Sequence, residues 1–295
     1  MPRQGNSKEA IQAYLLLTPT LGGFLVFGLV PIIASLFLSF TEWDLFSSPR
    51  WVGLQNFIEI FQDDMVCHSL RNTLIFVLLN VPIAGVLLPL PLAVLLNRNI
   101  RGVNLLRTIY FMPVVTLSVS AGFVWNWMYN PEFGIINYLL SIIGISGKKW
   151  LLSPQTALVS LVIVNAWKWV GYNLVIFLAA LQGIPHIYYE AAWVEGASSW
   201  MTFWKITLPL LMPTIFFVTV VGIIGSLQFF DLVYIMTQGG PGDATMVYNY
   251  YIYQNAFRFS RMGYAAALAW VLFVLVFLAT MVQFRLARGR VSYDY

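Results

Sequence analysis

The sequence predicts an all-α membrane protein with six transmembrane helices. Only 9% of its 295 residues are charged and 59% are hydrophobic, whereas about 25% of the residues in a soluble domain are charged. So few charged side chains cannot cover the surface of a soluble protein of this size, but apolar side chains can face lipid. Six apolar runs are each long enough to cross about 30 Å of hydrocarbon as a helix: 13–40, 73–96, 105–128, 156–181, 211–236 and 264–284.

The first run, 13–40, is too long for a signal peptide. No small-residue cleavage pattern follows it, because residues 39–43 are Ser, Phe, Thr, Glu and Trp. We therefore expect a retained helix. Transmembrane helices tolerate proline where neighbouring helices or water satisfy the freed carbonyl groups. A packed bundle around a cavity is therefore favoured by the prolines within the runs: Pro19, Pro31, Pro82, Pro89, Pro91 and Pro113.

The lysine and arginine residues near the ends of the runs predict the orientation, because cytoplasmic loops carry an excess of them. With the amino terminus inside, nine lie inside: Arg3, Lys8, Arg98, Arg101, Arg107, Lys205, Arg285, Arg288 and Arg290. Six lie outside: Arg50, Arg71, Lys148, Lys149, Arg258 and Arg261. This bias places both termini in the cytoplasm.

Several functional classes are disfavoured by what the sequence lacks. Its basic residues are scattered and form no patch for nucleic acid, although the net charge is +4. The single cysteine, Cys67, excludes an intrachain disulfide, and His68 and His186 form no metal-ligand pattern. No Walker motif GxxxxGK[ST] is present, since Gly147-Lys148-Lys149 lacks the required spacing and the Ser or Thr. Motifs for hydrolytic catalysis are also missing, so an enzyme is not expected.

The connection between the fourth and fifth runs predicts a helix–turn–helix. Pro185 suits the first turn of a helix, and Gly196 suits a left-handed residue at its end. Ser198 or Ser199 suits the N-cap of a second short helix, which Pro209 would end. This connection is long for a simple link.

The same connection keeps apolar residues on a segment that is expected to be wet: Ala191, Ala192, Trp193, Ala197 and Phe203. One interpretation is an amphipathic helix that rests on lipid headgroups. The other is a docking surface for a cytoplasmic partner. The pattern alone leaves both interpretations open.

The connection resembles the EAA motif of binding-protein-dependent ABC importers. In that motif Glu-Ala-Ala is followed after three residues by Gly, and after nine more by Ile-x-Leu-Pro. The matching residues here are Glu190, Ala191, Ala192, Gly196, Ile206, Leu208 and Pro209. Similarity to the carbohydrate-type branch, which imports sugars, oligosaccharides and glycerol phosphates, covers residues 10–288. It includes the segments WVGLQNF, NTLIF and TQGGPGDATMVYNYYIYQNAF.

This resemblance implies the MetI-like fold of a type I ABC importer permease, in which residues 185–213 form the cytoplasmic coupling element. It implies an N-terminal segment 1–71 with the first transmembrane helix and an outer loop, a transmembrane core 72–284, and a cytoplasmic tail 285–295. In the family, the Glu190 position contacts a separate ATPase and the Gly196 position allows the sharp turn. ATP and Mg are bound by that partner, so the chain itself needs no cofactor.

The resemblance also implies partners and cargo. The partners are a second homologous permease in a heterodimer, two ATP-binding cassette subunits and an extracytoplasmic solute-binding protein. The location is the bacterial inner membrane, and the cargo is a sugar, an oligosaccharide or a related polyol-type solute. ATP-driven closure of the two ATPases would pull the coupling helices together and turn the pathway from inward-facing to outward-facing.

Polar and aromatic side chains inside the runs are the candidates for the substrate path, since such groups in a membrane are often functional and aromatic faces with polar groups suit sugars. The candidates are Asn126, Trp167, Lys168, Asn173, Gln228 and Asp231. Amide side chains also join helices to each other, at about 1 kcal/mol per hydrogen bond. A stand-alone secondary transporter or channel is the alternative, but it predicts several carboxylates at the midplane, and Asp231 is the one acid within a run.

Overall fold

A computed structural model describes residues 7–97 and 102–287, with side chains from residue 12 onward. Six predicted inside cations, Arg3, Arg98, Arg101, Arg288, Arg290 and the side chain of Lys8, lie outside this part. Its α-helices are α1 (Ser7–Phe24), α2 (Val30–Leu38), α3 (Gln55–Gln62), α4 (Asp64–Asn80), α5 (Pro89–Leu96), α6 (Val103–Val115), α7 (Ser118–Met128), α8 (Ile135–Ile142), α9 (Pro154–Gln182), α10 (Ile187–Val194), α11 (Ser199–Thr202), α12 (Leu208–Leu210), α13 (Met212–Leu227), α14 (Tyr248–Tyr253) and α15 (Met262–Ala287). Five π-helical turns interrupt or extend them: Leu25–Leu29, Val81–Leu87, Phe203–Thr207, Val233–Thr237 and Gln254–Arg258.

Membrane-spanning helices appear where the sequence predicts them. Within the described ranges, four are long and apolar enough to cross a bilayer: Gln12–Leu38, Asp64–Leu96, Pro154–Gln182 and Met262–Ala287. Two further spans are bent helix pairs, α6 with α7 and Ser199–Leu210 with α13. The six-helix expectation is confirmed when each bent pair counts as one span.

The third span differs from the continuous helix predicted over 105–128. It breaks after α6, where Thr116 and Leu117 take extended backbone conformations, and α7 leaves at 101° to α6. Pro113 and the β-branched residues that follow it weaken the helix at this point, because proline removes a backbone donor and β-branched side chains crowd the turn. The span is therefore two half-helices joined by a short extended link.

The fifth span also departs from its predicted bounds, 211–236. Its helix α13 ends at Leu227, and the next ordered turn is π-helical. Phe229 lies between them, buried, and its ring stacks on Phe76 with the centroids 3.9 Å apart. This packing replaces a straight continuation of the helix and leaves Gln228 and Asp231 outside regular α13.

The chain forms two compact units, of which the first contains the described part of Met1–Asp63 with Ile252–Val271. A two-stranded antiparallel pair, β1 (Thr41–Glu42) and β2 (Arg50–Trp51), closes a loop within it. Hydrogen bonds from Ser47 and the Phe46 backbone N–H lower the pKa of Asp44 in this loop. Hydrogen bonds to the Asp44 carboxylate thus stabilise this loop, which lies outside the spans.

The second unit comprises Asp64–Tyr251 and the described residues that follow Leu272. Helix α9 is its central element and packs against α4, α5 and α6. Gly171 permits the close approach of α6, since a Cβ at this position would lie 1.9 Å from the carbonyl oxygen of Tyr110. Leu174, Phe177 and Leu178 on α9 are buried in the cluster that includes α5. This framework carries both candidate functional regions.

Candidate functional site

The predicted turn at Gly196 is a Schellman motif that ends α10. The N–H of Gly196 donates to the carbonyl of Trp193 at 3.0 Å, and the N–H of Ala197 donates to Ala192 at 2.9 Å. Gly196 has φ +75°, and a Cβ added there would meet no atom within 4 Å. The glycine is therefore required by its left-handed backbone, not by lack of space. Pro185 lies just before α10 rather than in its first turn.

The second helix of this segment begins at an N-cap formed by Ser198, whose hydroxyl accepts from the Met201 N–H at 3.3 Å. This helix ends at Leu210, one residue beyond the end predicted at Pro209. The preceding turn is π-helical, and the N–H of Leu208 bonds to Phe203 five residues earlier. This wider turn accommodates the proline, and a 60° bend into α13 follows.

The EAA side chains point in different directions. Glu190 and Ala191 are exposed, whereas Ala192 is only 5% exposed and lies in the protein. Trp193 and Trp200 are 72% and 70% exposed, one on each helix of the segment. Glu195, at the end of α10, is exposed as well. The segment therefore presents two acids and large apolar groups outward, as a docking surface would.

Core contacts hold this segment in place. Leu208 and Tyr189 pack against the buried cluster that contains Leu211. The hydroxyl of Tyr189 lies 3.2 Å from that of Thr207 and joins the two helices. Ile206 is half-buried and Pro209 is exposed. The Ile-x-Leu-Pro residues thus position the segment, while the exposed face lies on α10 and α11.

A cavity of about 490 Å³ opens between the second, fourth and fifth spans of the second unit. Aromatic and amide side chains dominate the lining, and the part of the chain that the structure describes adds one carboxylate and no lysine, arginine or histidine. The lining residues are Phe76, Asn80, Val81, Ala84, Gly85, Asn165, Trp169, Tyr172, Asn173, Val221, Gly222, Gly225, Ser226, Gln228, Phe229, Phe230, Asp231 and Asn249. The rings of Trp169 and Tyr172 meet edge to face at 5.9 Å. Such a lining offers flat apolar faces beside hydrogen-bonding groups.

One wall of this cavity contains a chain of hydrogen bonds between three spans. Asn165 donates to the side-chain oxygen of Asn80 at 2.9 Å, and Asn80 donates to the hydroxyl of Ser226 at 3.0 Å. All three residues are buried. Buried amide and hydroxyl groups within a membrane need hydrogen-bond partners on neighbouring helices. These two hydrogen bonds therefore fix the register of the three helices.

Three of the six predicted path residues, Asn173, Gln228 and Asp231, line the cavity. Asn173 also donates to the Ala84 carbonyl at 2.9 Å, so part of its role is structural. Gln228 and Asp231 are both exposed. They lie where the helix of the fifth span has ended, because the chain leaves α13 at Leu227.

The other three predicted path residues do not line this cavity. Trp167 lines a separate apolar groove. Lys168 is 5% exposed, and its ammonium donates to the hydroxyl of Ser118 at the break of the third span. Asn126 has a buried side-chain oxygen without a hydrogen-bond partner among the described atoms.

Sequence reasoning left out Asn80, Trp169 and Asn249 as candidates, although the structure places them in the lining. Helical spacing is the signal that could have found the lining residues of α9. Trp169, Tyr172 and Asn173 follow Asn165 at spacings of four, seven and eight residues. That spacing places them on one side of α9. Trp167 and Lys168 fall on other sides.

A polar cavity between apolar spans, of which the fifth is broken, together with an exposed helix–turn–helix, is typical of an integral membrane transport subunit. The chain belongs to the family of binding-protein-dependent transport system inner membrane components, whose model matches residues 70–291. It is a transport component and not an enzyme. Within the described ranges, no three His, Cys, Asp or Glu side chains are grouped to hold a metal ion.

Named relatives match nearly the whole chain. It is 40% identical to the probable ABC transporter permease protein YesP of Bacillus subtilis, over 97% of this chain and 94% of that protein. It is 36% identical to the lactose transport system permease protein LacF of Rhizobium radiobacter, over 95% of each. A crystal structure of a bacterial ABC transporter involved in alginate import matches with a TM-score of 0.84 and 26% identity, over 95% of this chain and 96% of that one. The MetI-like permease fold is thereby confirmed.

Proposed function

We propose that this chain forms half of the translocation pathway of an ATP-driven importer for a sugar, an oligosaccharide or a related polyol. The cavity lining of amides and aromatic rings carries this proposal. Sugars stack their C–H faces on aromatic rings and exchange hydrogen bonds at their rims. Trp169 and Tyr172 supply the rings, while Asn173, Gln228 and Asn249 supply amide groups.

The charge of the lining favours an uncharged solute. Asp231 is the one carboxylic acid of this lining, and no basic side chain among the described residues faces the cavity. A phosphate or uronate group entering this cavity would meet a carboxylate without a compensating cation, which is unfavourable in a low-dielectric site. Lactose, named for the relative from Rhizobium radiobacter, is uncharged and has the hydroxyl groups that this lining accommodates.

The energy source in this proposal is a separate ATPase that docks on residues 185–213. The sequence contains no Walker motif, and the segment presents Glu190, Ala191, Trp193 and Trp200 outward. ATP and Mg would be bound by that partner. Closure of two such ATPases would draw the coupling segments together and expose the cavity to the opposite side.

The assembly is proposed as a heterodimer with a second homologous permease, served by two ATPases and an extracytoplasmic binding protein. The cavity of this chain is open and does not enclose a solute by itself. In the proposed assembly a second permease completes the pathway. Both termini are placed in the cytoplasm on the distribution of lysine and arginine. The division into 1–71, 72–284 and 285–295 remains a prediction.

Replacement of Trp169 tests the substrate path. The permease complex, reconstituted with its ATPases and binding protein, is assayed for lactose uptake and ATP hydrolysis. Loss of half the burial of an aromatic ring corresponds to about 1 kcal/mol, so Trp169→Ala should weaken the apparent lactose affinity about fivefold. Trp127→Ala, on an exposed tryptophan outside the cavity, is the matched control.

Asp231→Lys tests the charge argument in the same assay. Lactose uptake should fall, while uptake of sn-glycerol-3-phosphate should rise relative to that of lactose, because the cavity then carries a cation.

Equal effects of Trp169→Ala and Trp127→Ala on lactose uptake would contradict the assignment of the cavity. Uptake that persists without the ATPases would favour a stand-alone secondary transporter or channel.

A further inference from the structure

A second recess of the second unit differs from the translocation cavity in chemistry. It is a lateral groove of about 530 Å³ between the second, third and fourth spans. Apart from the hydroxyl of Tyr110 and the indole N–H of Trp167, its lining side chains are apolar, and none is charged. Such a groove suits a hydrocarbon occupant.

The length of the groove matches an acyl chain. Its lining runs from Leu79 to Leu92 on one wall and from Val159 to Val170 on another, about 20 Å and 16 Å at 1.5 Å per residue. This length is close to one bilayer leaflet, about 15 Å. One acyl chain of a leaflet therefore fits along the groove.

A cation lies at the end of the groove where α5 ends. Leu88, Leu92 and Leu96 follow at four-residue spacing on one face of α5, and the first two line the groove. The guanidinium Nη2 of Arg107 donates to the carbonyl of Leu96 at 3.4 Å, one turn beyond the lining. The Nε of Arg107 is buried and has no hydrogen-bond partner among the described atoms.

No acidic side chain of the described residues forms an ion pair with Arg107. An arginine at the end of a span directs its head toward the headgroup region. In the sequence, the link that follows α5 adds Arg98 and Arg101. Basic groups between helices at the cytoplasmic side attract anionic lipid headgroups.

We propose that this groove binds one acyl chain of an anionic phospholipid whose phosphate is held by Arg107. The apolar lining accounts for the tail, and the uncompensated guanidinium accounts for the headgroup. This inference depends on membrane embedding alone and is independent of the solute that the importer carries.

Native mass spectrometry of the purified, delipidated permease tests the proposal, with phosphatidylglycerol and phosphatidylcholine of identical acyl chains added in parallel. The wild-type protein should prefer phosphatidylglycerol about fivefold, the effect of one basic group at the headgroup. Arg107→Gln should abolish this preference, and Arg107→Lys should retain it. Arg71→Gln, which removes the same charge at an exposed position of α4, should behave as wild type.

Occupation of the groove is tested by Ile163→Trp, since Ile163 lines it and is 41% exposed. The added ring should lower the binding of both lipids, whereas Val175→Trp, equally exposed on α9 outside the groove, should not. Equal binding of the two lipids by the wild-type protein would overturn the proposal. It would also be overturned if Ile163→Trp left lipid binding intact and instead prevented assembly with a second permease.

Discussion

Substitution of Gly196 separates the shape of the coupling turn from its contact with a partner. An L-residue forced into the left-handed region costs about 1–2 kcal/mol, and asparagine costs less than alanine. Space is not limiting in this chain, because a Cβ at Gly196 has no atom within 4 Å. Gly196→Ala therefore adds only the conformational free energy of a left-handed L-residue. Gly196→Trp adds the same free energy and also a large ring, which would collide only with a docked partner.

These costs set the expected magnitudes. If the ATPase binds only the native turn, Gly196→Ala weakens its binding by up to about 5- to 30-fold, and Gly196→Asn by less. Gly196→Trp should weaken it further. The assay measures the ATPase retained on the affinity-purified permease, together with solute uptake. Gly183→Ala is the control, because Gly183 ends α9 with φ −78° and a methyl there meets only ordinary contacts.

Three results would refute this reasoning. Binding by Gly196→Ala that equals wild type would show that the left-handed turn is not needed for docking. Equally weakened binding of the ATPase by Gly196→Ala and Gly196→Trp would show that the turn does not contact the partner, because the added ring then has no effect beyond that of the backbone. An order in which asparagine is worse than alanine would contradict the conformational argument.

Three further predictions follow from burial and hydrogen bonding. Ala192→Asp should lower the melting temperature of the isolated permease, because it buries a charge, whereas Ala191→Asp should leave it unchanged and weaken only ATPase binding. Ser118→Ala should lower the unfolding free energy by about 1–3 kcal/mol, because the buried ammonium of Lys168 loses its partner, and Lys168→Met in the same background should recover part of this loss; a thermal double-mutant cycle measures both. The pKa of Asp44 lies below 3.8, so its stabilising effect is complete above that pH and is lost as the pH falls through the lowered pKa. Acid titration of the neighbouring indole fluorescence should show this transition in wild type but not in Asp44→Asn.

The spans could be predicted because apolar runs of the required length are a strong signal. The positions of their breaks could not, since a proline within a span does not by itself decide whether the helix breaks. Pro113 lies within an apolar run, and only the extended backbone at Thr116 and Leu117 and the 101° bend show that the run is two half-helices. The end of the helix at Pro209 could be predicted to within one residue, whereas the π-helical turn that precedes the proline could not.

The coupling turn could be predicted because it is local: glycine, serine and their spacing determine the Schellman motif and the N-cap within fourteen residues, 185–198. The cavity depends on which faces of distant helices meet. Asn80 and Ser226 are 146 positions apart in sequence but share a hydrogen bond. Their meeting follows from the packing of α4 and α13, which a single sequence does not reveal.

The fifth span joins the two candidate regions physically. Ser199–Leu210 leaves the coupling turn, bends by 60° at Leu211, and continues as α13 to Leu227. Gln228 and Asp231 then line the cavity. Leu211 is almost fully buried in the core, so the bend is held by packing. Under the proposed function, a shift of residues 185–213 would be carried about 24 Å along the sixteen residues of α13 to the cavity wall. The break after Leu227 places Gln228, Phe229 and Phe230 of the lining on a short non-helical stretch, while Asp231 begins the next helical turn.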